Sequence, residues 1–284
     1  MSFREAQRSG ILVLDAALGT ELTARGVDTS PPLWSARALE AAPELVLSIH
    51  RENVAAGADV VTACTFRTHG RNVEGRDAAA LTRLAVALAK ESGARFIAGS
   101  LSPLEDCYRP DLVPDDAALA REQAEQAERL ASAGCDLILV ETMNAVRELV
   151  TAARAAAATG LPVVASMVTD GGGRLLSGEP IERAVVELFS LPDPPVAIGV
   201  NCVPARQIGK DVALLALAAP GVALAAYGNT GLPTEDGRFT EPIDPEEFAA
   251  LAMAWVALGA RLVGGCCGTG ATHTRAIRDA IGLA

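Results

Sequence analysis

The chain has 284 residues, half of them apolar and only 4% aromatic, with a formal net charge of −11. Such a composition allows a large core of alanine, leucine and valine and excludes an intrinsically disordered chain. The acidic balance argues against DNA or RNA as a partner, because phosphate binding needs clustered Lys and Arg. The longest apolar stretch, 212–227, is interrupted by Pro220-Gly221 and falls short of the ~20 residues a membrane span requires. The polar start, Met1 to Gly10, is followed by too short an apolar stretch for a signal core. A soluble, cytoplasmic protein with no membrane partner is expected.

In chain order, eight short apolar runs read as strands: 11–17, 58–65, 95–101, 136–142, 162–168, 196–202, 222–227 and 260–266. A single motif precedes most of them. A helical stretch ends in Gly, and two or three residues later the apolar run begins, as in Ala56-Gly57-Ala58-Asp59 and Leu258-Gly259-Ala260-Arg261. Gly suits the left-handed position just past a helix end, and runs apolar on both faces suit buried parallel strands. The intervening segments read as helices. Asn144 is expected to cap one whose Val146, Leu149, Val150 and Ala153 share a face. Residues 116–133 and 244–258 follow Asp115 and Asp244 as N-caps.

Eight strand-helix units predict an α/β fold of the (β/α)8 TIM-barrel type, as one domain over 1–284. A doubly wound open sheet is the alternative, weakened by the absence of G-x-G-x-x-G after the first strand. Strand-to-helix loops are long at 102–115, 169–180 and 228–243, whereas helix-to-strand connections are short. In a barrel the long loops crowd the C-terminal face, where active sites sit.

Two strand ends carry cysteines, Asn201-Cys202 and Gly264-Gly265-Cys266-Cys267-Gly268. Strands six and eight have one neighbour between them, so these ends converge. Adjacent residues on a strand point apart, but the glycines can turn both thiols to one side. Buried packing cysteines are the plain alternative, and a vicinal disulfide would be strained and leave Cys202 unexplained. Three thiolates with one open position suit Zn2+, which holds and activates a fourth, substrate thiol. Cys64 and Cys135 read as core residues, and Cys107 as a loop residue without a role. His50, His69 and His273 are not expected to be ligands. Asp15 and Glu141 close the first and fourth strands. Glu141 follows the apolar run 137–140, so it needs a partner, and a substrate ammonium would serve. Trp34, Phe66, Tyr108 and Tyr227 fall in segments expected on the same face, where aromatic rings suit a methyl-onium donor. Arg67 and Arg109 could read a donor carboxylate.

The segments Leu14-Asp15-Ala16-Ala17-Leu18-Gly19-Thr20, Pro32-Leu33-Trp34-Ser35-Ala36, Val140-Glu141-Thr142, Gly199-Val200-Asn201-Cys202 and Gly264-Gly265-Cys266-Cys267-Gly268-Thr269 together resemble the zinc-dependent homocysteine S-methyltransferase family. The resemblance implies zinc on Cys202, Cys266 and Cys267, with Asp15 and Glu141 on the amino group of homocysteine. It also implies main-chain groups near Ala16 and Ala17 approaching that substrate. Ala16 stands where the family often has Gly, and Arg67 where it has a small or amide residue. The expected partners are therefore homocysteine and a small methyl donor, with Trp34, Phe66, Arg67 and Tyr108 on the donor side. Two alternatives remain: a non-catalytic zinc- or thiol-sensing barrel, and a zinc-thiolate alkyltransferase with another thiol acceptor.

Overall fold

The computed structural model describes residues 1–73, 75–231, 240 and 242–283. Its strands are β1 (Leu12–Val13), β2 (Val60–Thr62), β3 (Phe96–Leu101), β4 (Leu137–Met143), β5 (Val163–Met167), β6 (Ala197–Pro204), β7 (Ala223–Asn229) and β8 (Ala260–Gly265). The helices are α1 (Phe3–Ser9), α2 (Gly19–Ala24), α3 (Ala38–Ala41), α4 (Pro43–Ala56), α5 (Ala78–Glu91), α6 (Asp116–Ala133), α7 (Val146–Ala158), α8 (Ile181–Phe189), α9 (Ala205–Ala218), α10 (Pro245–Ala257) and α11 (Ala271–Leu283). Each neighbouring pair of strands from β2 to β8 is parallel, and β8 pairs in parallel with β1. A parallel bridge from Leu14 to Val60 joins β1 to β2, so the sheet returns on itself as a (β/α)8 TIM barrel. Among the described residues no helix is long and apolar enough to cross a membrane.

The period of two along each strand sorts the core into shells. Leu12, Leu14, Val60, Phe96, Ala98, Leu137, Leu139, Val164, Ala197, Ala225 and Leu262 form one buried cluster inside the ring. Residues alternating with them, such as Val13, Val61, Ile97, Ile138 and Val263, pack outward against the helices in a second cluster. Alanine-rich helix faces lie close to the sheet there, which is how the chain builds a core with few aromatics. Helix α1, an element not expected from its polar composition, covers the N-terminal end. It starts with a capping box between Ser2 and Glu5, and its Phe3 packs edge-on against Phe96 with centroids 5.6 Å apart.

The expected helix ends are largely present. Asp115 and Asp244 cap α6 and α10 by accepting from Ala118 and Glu247 amides. Asn144 does not cap α7. Its amide donates to the Asp106 and Cys107 carbonyls, and the α7 N-terminus is capped from another loop, the Val146 N–H donating to Glu179 at 2.8 Å. The first strand is shorter than expected because only Leu12 and Val13 pair on β8 in full register. Loop 102–115 lies on the C-terminal face, fastened by Arg67, Asn144, Arg147 and Glu148. Loop 169–180 folds over itself through two antiparallel bridges. In the third long loop, 232–239 and 241 lie outside the described residues.

Candidate metal centre at the barrel mouth

Cys202 lies on β6, and Cys266 and Cys267 follow β8 directly. Their three sulfurs lie within 4.8 Å of one another, with Cys202 Sγ and Cys267 Sγ 3.8 Å apart. Strand alternation does not separate Cys266 from Cys267, because β8 ends at Gly265 and the pair sits in a turn. The Thr269 amide and hydroxyl both donate back to the Cys266 carbonyl, at 3.1 and 2.6 Å. A side chain at Gly265 would fall 2.7 Å from the Thr269 Cβ, and Gly268 takes a left-handed φ of 80° that closes the turn. From β7, Gly228 accepts from the Cys266 amide at 2.7 Å, and Thr230 donates to the Cys267 carbonyl at 3.1 Å.

Cys202 and Glu141 are aimed by distorted backbone. Thr142 and Cys202 have φ of 61° and 59°, a region non-glycine residues seldom occupy and β-branched ones least. The β4–β5 register shifts between Val140 and Met143, and the β6–β7 register shifts between Asn201 and Pro204. Asn201 holds both irregularities together. Its amide oxygen accepts from the Thr142 N–H, and its amide nitrogen donates to the Thr142 hydroxyl, both at 2.8 Å. Bulges of this kind commonly re-aim a side chain beside an active site.

Two buried carboxylates stand beside the sulfurs. Both Asp15 oxygens accept from Thr62, one from its N–H and one from its hydroxyl, each at 2.9 Å. Glu141 accepts from the Ser100 hydroxyl. Burial pushes the Asp15 carboxyl up to about 7 against the Thr62 hydrogen bonds. It pushes the Glu141 carboxyl up to about 8 against the Ser100 hydrogen bond, with the Cys202 and Asp15 charges adding to the rise. No lysine or arginine pairs with either among the described residues, so a cationic ligand would hold both in the charged form. Contacts from Cys266 and then Cys267 hold the Cys202 thiol well below its usual range, and the contact with Cys202 raises the other two. The donor set fits a thiophilic metal ion: three sulfurs in mutual reach, one already favoured as thiolate, with second-sphere contacts fixing their direction.

The remaining expected residues are placed as follows. Trp34 packs on Gly19 and edge-on against Phe66 at 5.3 Å between centroids, and the Arg67 guanidinium lies over the Phe66 ring at 5.2 Å. Arg67 Nη1 also donates to the Pro103 and Glu105 carbonyls at 3.3 and 3.0 Å, so it fastens the loop that carries Tyr108. The Tyr108 hydroxyl reaches the Cys202 sulfur at 3.1 Å. Arg109 is paired with exposed Asp111. The Ala16 and Ala17 amides donate to Asn53 and Thr269 at 3.0 and 3.3 Å. Cys64 and Cys135 are buried in core clusters, and none of the three histidines joins the sulfur group.

Several residues at the site carried no assignment from sequence. Cys107 is half-buried, and burial first and the nearby Cys202 sulfur second push its thiol up. Asn229, buried at the end of β7, lies against the Cys202 sulfur. The inward alternation of the strands could have flagged Thr62, Ser100 and Asn201, as it places Tyr227, expected on this face from its aromatic ring, two residues beyond inward Ala225.

A mouth that gathers soft sulfur and two buried carboxyls places the protein among (β/α)8-barrel enzymes built around a cysteine centre. Residues 12–281 match the family described as homocysteine S-methyltransferase. The homocysteine S-methyltransferase of Escherichia coli (strain K12) is 31% identical, over 92% of this chain and 92% of its own length. Homocysteine S-methyltransferase 1 of Zea mays is 28% identical over 96% and 94%. Among solved structures, the metallated form of the E. coli homocysteine methyltransferase MmuM superposes with a TM-score of 0.81 at 28% identity, covering 95% of this chain and 96% of that one. The chain belongs to the homocysteine S-methyltransferase family.

Proposed function

We propose that this enzyme is zinc-dependent and transfers a methyl group from a small methyl-onium donor, S-methylmethionine or a similar compound, to the thiol of homocysteine, giving methionine. The observation that carries the reading is the gathering of three cysteine sulfurs within 4.8 Å beside two buried carboxylates that have no protein cation among the described residues. Cys202, Cys266 and Cys267 would hold zinc, which supplies a Lewis-acidic position where a substrate thiol binds as thiolate. Asp15 and Glu141 receive the substrate ammonium. With sulfur and ammonium both fixed, the thiolate lone pair is aligned for one in-line displacement at the donor methyl. No side chain needs to act as a base at that step.

The donor side is lined from loops on the same face. Trp34 and Tyr108 would offer aromatic rings to a cation, beside Phe66 whose ring carries the Arg67 guanidinium. Arg67, partly committed to the loop carbonyls, offers a positive charge to a donor carboxylate. The net charge of −11 favours approach of a cation over a polyanion, within a screening length of about 8 Å at physiological salt.

The test is methionine formation by zinc-loaded enzyme from homocysteine and a panel of donors. Turnover is expected with S-methylmethionine or another sulfonium or quaternary ammonium compound. Turnover with methyltetrahydrofolate alone would overturn the donor assignment. Absence of methionine with every donor would overturn the function.

A further inference from the structure

The inward faces of six strands end in a polar layer directly above the apolar interior. Thr62 follows Val60 on β2, Ser100 follows Ala98 on β3, and Glu141 follows Leu139 on β4. Ser166 follows Val164 on β5, Asn201 follows Gly199 on β6, and Tyr227 follows Ala225 on β7. Most members are spent within the protein. Thr62 serves Asp15, Ser100 serves Glu141, and Asn201 serves Thr142. Two are not: among the described residues the hydroxyls of Ser166 and Tyr227 make no hydrogen bond of good geometry, although Ser166 is 0% and Tyr227 2% exposed. The Tyr227 hydroxyl stands next to Ser166 and to the Glu141 carboxyl. Its register neighbour on β8 is Gly264, where a side chain would collide with Leu14. A buried hydroxyl without a partner costs free energy that a bound polar ligand recovers.

We propose that the Tyr227 hydroxyl, backed by Ser166, is the third acceptor of a cage for the primary ammonium of the thiol substrate, and that it selects acceptors carrying that group. The proposal rests on the homocysteine reading above. An ammonium presents three N–H donors. Asp15 and Glu141 supply two acceptors, since each retains lone pairs beyond those used by Thr62 and Ser100. The third N–H needs an acceptor in the same pocket, and the Tyr227 oxygen is a buried one there with no hydrogen bond of good geometry among the described residues. The Tyr227 O–H in turn donates a hydrogen bond to Glu141 or Ser166, which completes the layer without proton transfer or a new charge. A site built this way discriminates strongly against an analogue lacking the group, because its acceptors are left unpaired.

The experiment measures binding of L-homocysteine and of 4-mercaptobutanoate, its analogue without the amino group, to zinc-loaded enzyme by calorimetry, with zinc content determined on the same samples. In Tyr227→Phe the Kd for homocysteine is expected to rise about tenfold or more, with the Kd for 4-mercaptobutanoate and the zinc content unchanged. Ser166→Ala, a smaller change, is expected to shift the same ratio in the same direction. In turnover the loss in Tyr227→Phe falls on KM and leaves kcat within about twofold. An equal loss for both thiols, an unchanged homocysteine Kd in both variants, or loss of zinc would overturn the cage. Wild-type enzyme that binds homocysteine no better than its desamino analogue would instead overturn the ammonium reading on which the cage rests.

Discussion

At the scale of single residues, the centre divides labour between sulfur and oxygen, and the division can be measured. Cys202, Cys266 and Cys267 are close enough to share one ion, whereas Asp15 and Glu141 are hydrogen-bonded to Thr62 and Ser100. Cys202→Ala is therefore expected to lose zinc, and Cys135→Ala, a packing change, to keep it. Glu141→Ala should keep zinc and bind homocysteine about a hundredfold more weakly, because it leaves a substrate charge buried with one partner fewer. Metal analysis beside calorimetry separates the two. If Glu141→Ala loses zinc yet binds homocysteine normally after reconstitution, the roles are reversed.

At the scale of elements, the cysteines and carboxylates were legible because strand ends are marked by the Gly-then-apolar-run motif, and strand ends set which face a residue joins. The means of aiming them was not legible. Neither Thr142 nor Cys202 has the residue type that signals a left-handed backbone, and the distortion exists only because Asn201 satisfies the Thr142 amide from two strands away. The α7 cap was misread for a similar reason. Glu179 is 33 residues from the amide it caps, and Asn144 is drawn off by loop carbonyls that no local pattern reveals. Asn201→Ala removes two buried hydrogen bonds and should cost about 2–4 kcal/mol of stability. Because the stitch also fixes the Cys202 backbone, it should weaken zinc as well. Denaturant unfolding and a zinc-chelator competition check both halves. A variant that loses stability without weakening zinc would show that the stitch does not aim the sulfur.

At the scale of the whole molecule, the barrel order follows from eight alternating units, but the way the ring shuts does not. Between β1 and β2 the ladder is one bridge, and side chains supplement it. Asp59 accepts from the Val13 N–H at 3.0 Å, and Arg278 of α11 ties Asp59 to the Gly57 carbonyl. This clasp lies at the N-terminal end of the strands, away from the sulfurs. Arg278→Ala should lower the Tm by several degrees, for a loss of about 1–2 kcal/mol, while the zinc content of folded protein stays unchanged. A Tm within a degree of wild type would show that the sheet alone closes the ring.

The distribution of the thiols along the chain bears on how the protein matures. Cys202 comes from β6, and the other two follow β8, the strand that must find β1 to complete the circle. Pairing of β6, β7 and β8 brings the three sulfurs together, so the ion ties the sixth strand to the eighth across the seventh and stabilises that side of the ring by mass action. Scarcity of metal should then show first as loosening at the C-terminal ends of the sixth to eighth strands. Amide protons of Cys266 and Thr230, which join the ligand turn to the end of β7, would exchange with solvent in the metal-depleted protein well before those of β3 and β4.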